Sequence, residues 1–71
     1  MYSVVYELTF CSSCFLEGEI YNVGEIEYFH IFLTASSMSE AYDRACEYSL
    51  DHYQDADVRI ISIVLIPQNK R

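Results

Sequence analysis

Residues 26–51, IEYFHIFLTASSMSEAYDRACEYSLD, change their hydrophobic period once, and the place of that change decides the fold. From Ile26 to Ala35 the chain is β-branched and aromatic on both alternating faces, the composition of a strand. Ser36, Ser37 and Ser39 then offer N-cap oxygens. Ser37-Met-Ser-Glu40 fits the capping box, in which a glutamate at the third helical position answers the cap serine. From residue 38 to about residue 53 the period is helical: Met38, Ala41, Tyr42, Ala45, Cys46 and Ser49 fall three and four apart, a stripe of mostly small side chains that lets a helix lie close on a sheet.

Outward from this junction the pattern stays simple. Residues 2–10, YSVVYELTF, alternate Tyr2, Val4, Tyr6, Leu8 and Phe10 with Ser3, Val5, Glu7 and Thr9, the period of a strand with one buried face. Residues 58–67, VRIISIVLIP, read as a further strand, ended by Pro67, which lacks the N–H a ladder needs. Residues 11–25 contain Gly18, Gly24 and the pair Asn22-Val23, and read as a long connection or as a hairpin with frayed extensions. The expected fold is therefore α+β, in the order β-β-α-β. Its three-stranded antiparallel sheet carries one helix on one face. A right-handed crossover through that helix sets the third strand beside the first, giving strand order 2-1-3. Residues 1–67 are expected to form a single compact domain and residues 68–71 a tail.

Two strands are apolar on both faces. Phe29, Ile31 and Leu33 alternate with Ile26, Tyr28 and Phe32, and Ile61, Ile63 and Leu65 alternate with Ile60, Val64 and Ile66. One helix covers only one side of three strands. An open apolar face is then expected to meet a second copy or a partner, unless segment 11–25 folds under and covers it. A charge at Phe29 or Ile63 is the expected way to break such a dimer.

Composition excludes several classes of function. With 52% hydrophobic residues, seven tyrosines and four phenylalanines, the chain is too apolar for disorder, and no apolar run reaches the ~20 residues of a membrane span. The start, MYSVVYELTF, lacks the basic region and cleavage site of a secretory signal, and three cysteines are an odd number, so a cytoplasmic protein with reduced thiols is expected. The net charge is −7, yet two of the four bases are Lys70 and Arg71, which leaves eleven acids in residues 1–67 against Arg44 and Arg59. Such a body repels nucleic acid and anionic lipid and attracts basic protein surfaces.

Catalytic chemistry finds little footing. Cys11-Ser-Ser-Cys14 has the spacing of half a zinc site, to be completed by His30, Cys46 or His52, and is otherwise a redox pair or a plain turn. A zinc-binding or dimerising regulatory module is the alternative this leaves open. Neither histidine has a nucleophile or carboxylate spaced to serve it, and no glycine-rich phosphate loop is present, so no enzyme and no cofactor are expected. The carboxylates are the more informative feature. Asp43, Glu47 and Asp51 stand at i, i+4 and i+8, about 6 Å apart along the helix. Like charges at that spacing cost roughly 0.2–0.5 kcal/mol per pair, and residues 1–69 contain no lysine. Solubility is one explanation. The other is a partner-binding face of Glu40, Asp43, Glu47, Asp51, Asp55 and Asp57, with Tyr48 and Tyr53 as aromatic anchors.

The segment FHIFLTASSMSEAYDRACEYSLD, followed by IISIVLIP, resembles the layout of tiny phage-encoded proteins, in which a strand ending in Thr-Ala-Ser leads into Ser-x-x-Glu-Ala-x-x-x-Ala. Among acidic proteins of this size the similar group is the anti-CRISPR proteins, and the likeness spans about residues 28–66. That group shares no active-site motif, so no residue is carried over by position. What the resemblance implies is a stoichiometric inhibitor in the host-cell cytoplasm. It would act as a DNA mimic, its carboxylates occupying the basic DNA-binding surface of a Cas effector subunit.

Overall fold

The computed structural model describes residues 1–67, so the expected tail at 68–71 lies outside the described residues. Five strands and one helix follow in the order β1 (Tyr2–Phe10), β2 (Cys14–Leu16), β3 (Glu19–Tyr21), β4 (Ile26–Leu33), α1 (Met38–His52) and β5 (Ala56–Leu65). β1 is central, with β4 and β5 antiparallel on either side of it, and β2 and β3 form a separate hairpin. The α+β class and the expected strand order are those observed. Segment 11–25 resolves into the hairpin, turned by Glu17 and Gly18 at φ of 49° and 84°. Positive φ at both loop positions is what a two-residue turn matched to strand twist requires.

The core lies on the helix side of the sheet. Tyr2, Val4, Tyr6, Leu8 and Phe10 of β1 are all buried there, with Phe29, Ile31 and Leu33 of β4 packed beside them. Ala41 and Ala45 have no exposed surface and bring α1 close to the strands. At 1.5 Å per residue the 15-residue helix is ~22 Å long, whereas the ten residues of β5 extend ~33 Å. The helix leaves one end of the sheet bare, and the hairpin covers it: Tyr21 stacks on Phe10 with ring centroids 4.5 Å apart, and Cys14 and Leu16 pack on the same cluster. Because it packs on the helix side, the hairpin leaves the opposite sheet face open.

Three details differ from the sequence pattern. Val5 pairs with Ser62 but Tyr6 pairs with Ile60, so Ile61 is an extra residue and β5 is bulged. The bulge resets the alternation: Ile60 and Ile63 both pack against the core, not on opposite faces, and Ile61 is exposed. Charges at Phe29 or Ile63 would therefore damage the core, and the open face is Ile26, Tyr28, Phe32, Ile61 and Val64. On α1, Met38 and Tyr42 are exposed, and Tyr48 takes the inward position, stacked on Tyr6. At the helix start Ser37 Oγ accepts from the Glu40 N–H at 3.2 Å, as a capping box requires. The Glu40 carboxylate reaches one residue further back than expected, to the Ser36 N–H at 2.6 Å.

Candidate functional site: the acidic end of the sheet

The topology gathers at one end of the molecule what the sequence spreads over forty residues. β1 ends at Phe10, next to the start of β4, since Thr9 pairs with Ile26, and next to the start of β5, since Phe10 pairs with Ala56. The last turn of α1 and the β2–β3 hairpin lie at the same end. Three backbone bonds tie these segments together: Phe10 N–H to Glu25 O at 2.9 Å, Gly24 N–H to Phe10 O at 2.8 Å and Cys11 N–H to Asp55 O at 2.8 Å. Glu17, Glu19, Glu25, Glu27, Asp51, Asp55 and Asp57 all belong to them, and residues 10–27 and 51–57 contain no lysine or arginine. The C-terminal end of α1 adds the negative pole of the helix dipole.

Both arginines of the described residues are engaged elsewhere. Arg44 pairs with Glu40 at 3.1 Å and donates to Thr34 O at 2.9 Å, near the helix start. Arg59 pairs with Glu7 at 3.0 Å on the open sheet face, where Tyr28 also donates to Glu7 at 3.1 Å. The field at the acidic end is felt by its neighbours. Burial raises the Tyr21 phenol above its ordinary range, and Glu19, Glu27, Glu17 and Glu25 add to that rise. Burial likewise pushes the Cys14 thiol up, with Asp55 adding to it, the opposite direction from that which activates a thiol.

The sequence-predicted residues divide into groups. Asp43 and Glu47 are exposed on the outer side of α1, upstream of the acidic end, and Glu40 is taken up by the helix cap. Asp51 and Asp55 line one cleft between the hairpin and the end of α1. Asp57 sits opposite Thr9 on the sheet. Tyr48 is half-buried, stacked on the His52 ring at 3.9 Å. Tyr53 is 4% exposed and belongs to the core, edge-on to Tyr6 and Phe29, so it presents no ring at the surface. The acids of the hairpin and its exit, Glu17, Glu19, Glu25 and Glu27, which the sequence offers as an extension of the acidic field, stand outside that set. The signal for the hairpin was Glu-Gly-Glu at 17–19, a two-residue turn flanked by strand residues.

Cys14 and His52 line the same cleft, but the remaining candidate ligands lie elsewhere. His30 lies on the open sheet face, bonded to Ser3 Oγ at 2.5 Å, while Cys46 lies on α1. Among the described residues no three His, Cys, Asp or Glu side chains come together as a metal-binding group. No described helix is long and apolar enough to cross a membrane. Comparison with protein-family models, with curated proteins and with solved structures gives no match.

Proposed function

We propose that this chain is a non-enzymatic, protein-binding inhibitor whose acidic end occupies a basic, nucleic-acid-binding surface of another protein. The observation that carries this is the sorting of charge. Seven carboxylates converge at one end of the sheet with no arginine or lysine in the segments that build it, while both described arginines are paired elsewhere. A solubility function needs acids, but it does not need them on one end. A carboxylate field of one sign steers association with a basic groove and competes there with phosphate. The resemblance of residues 28–66 to anti-CRISPR proteins puts a Cas surveillance complex first among such partners.

The test is target-DNA binding by a purified Cas complex with and without the protein, at two salt concentrations. Inhibition that weakens with salt, and that is lost in the triple variant Glu19→Lys, Asp51→Lys, Asp55→Lys, is the expected result. A triple variant that inhibits as well as the parent excludes this end as the binding surface.

Self-association through the open sheet face is a second function, favoured by one observation. Ile26, Tyr28, Phe32, Ile61 and Val64 are exposed together, and among the described residues the one ion pair there, Glu7 with Arg59, is internally balanced. That face is where an otherwise acidic chain repels a copy of itself least.

A further inference from the structure

The acidic end is not a smooth surface. A cleft of ≈ 190 Å³ opens between the β2–β3 hairpin and the last turn of α1, its lining including the apolar Phe10, Phe15, Leu16 and Tyr53 and the carboxylates Asp51 and Asp55. We propose that this cleft receives one arginine or lysine side chain from the basic partner protein, as the specific contact within the broader charge attraction.

Size limits the occupant first. Drug-sized ligands use pockets of roughly 300–1,000 Å³, so this cleft holds a single long side chain. Its two kinds of lining match the two parts of a basic side chain: a methylene stem lies along apolar surface while the charged head stays at a polar rim. An exposed aromatic ring beside the head, here that of Phe15, adds cation–π attraction, which arginine uses most. Asp51 and Asp55 have no ion-pair partner among the described residues, and the helix C-terminus adds negative potential. The one basic neighbour is His52, whose ring is stacked on Tyr48 with Nδ1 3.0 Å from Tyr48 O. Phe15 is 71% exposed, an aromatic wall that contributes little to the core and is free to cover a guest. Acids from both walls act on neighbouring groups: Asp55, in the segment after α1, on Cys14, and Glu17, on the hairpin turn, on Tyr53.

This inference rests on the protein-binding function above, and its test separates the two. The probe is the peptide acetyl-Gly-Gly-Arg-Gly-Gly-amide, with citrulline in place of arginine as the neutral control, titrated into the full chain by NMR. Shifts centred on Phe15, Leu16, Gln54 and Asp55 are expected, together with an affinity about fivefold weaker in Asp51→Asn/Asp55→Asn and also weaker in Phe15→Ser. Asp43→Asn/Glu47→Gln removes the same charge away from the cleft and is expected to leave the affinity within about twofold. Equal losses in both double variants, with none in Phe15→Ser, overturn the cleft and leave a diffuse acidic interface standing. Citrulline peptide binding as tightly, or shifts centred elsewhere, also overturns it.

Discussion

The Tyr6 hydroxyl donates to the Ala45 backbone carbonyl across 2.5 Å, joining the middle of the central strand to the middle of the helix. Both residues have no exposed surface, so the bond has no competing water. Tyr6→Phe removes the donor and keeps the ring, and is expected to cost about 1 kcal/mol in urea unfolding. Tyr53 makes the contrast, since its hydroxyl is buried without a hydrogen-bond partner. Tyr53→Phe is expected to be neutral or stabilising by up to about 1 kcal/mol. Equal losses in the two variants would contradict this division of roles.

The same tyrosines set the alkaline limit of the fold. Burial, with Tyr48 and Cys46 adding to it, pushes the Tyr6 phenol up to about 12 from an ordinary 10.0, and burial raises Tyr53 as well. The folded chain then holds protons that the unfolded chain has released, so stability is full below pH 10 and falls as pH rises from there through about 12. Denaturation midpoints measured between pH 8 and 11.5 should be flat to about 10 and decline beyond it. Tyr6→Phe should show a shallower decline.

At the hairpin turn, Gly18 has φ of 84° and a Cβ placed there would meet nothing within 4 Å. The cost of Gly18→Ala is therefore conformational alone, about 1 kcal/mol. Glu17, at φ 49°, is the opposite case: asparagine tolerates that region better, and Asn-Gly is the favoured pair in such turns. Glu17→Asn is expected to stabilise by a few tenths of a kcal/mol. Thermal melts of both variants, moving in opposite directions, are the measurement, and a destabilised Glu17→Asn would show that the Glu17 side chain makes a needed contact.

How far the sequence was legible follows from what kind of information each feature needs. Strand β1 alternates cleanly because one face is solvated, so Tyr2 to Phe10 could be placed from period alone. The helix start was legible because Ser37 and Glu40 are local signals. The bulge at Ile61 was not: in IISIVLI only Ser62 interrupts the apolar residues, so neither register stands out, and only pairing with Val5 and Tyr6 reveals the extra residue. The exchange of Tyr42 for Tyr48 on the inner side has a similar cause, because Tyr48 is drawn in by the ring of Tyr6, distant in sequence, as well as by that of Tyr53. The acidic end is a tertiary feature as well. Asp51 and Asp55 were readable on the helix and its exit, but their meeting with the hairpin depends on how the chain is folded at Phe10 and Cys11.

The open sheet face yields the last prediction. Phe32 and Val64 flank Ser3 in one row of the sheet, 57% and 54% exposed, and neither belongs to the core. A charge there leaves internal packing intact, unlike one at Phe29. If two copies associate through this face, the contact is apolar, and sedimentation should find a dimer whose stability is little changed by salt. Phe32→Glu is then expected to give a monomer with an unchanged urea midpoint, because the lost contact is between chains. Asp43→Lys, on the outer side of the helix, should leave the dimer as it was. A parent chain that sediments as a monomer at hundreds of micromolar leaves the face free for a different partner, and the sheet would then serve recognition instead of self-assembly.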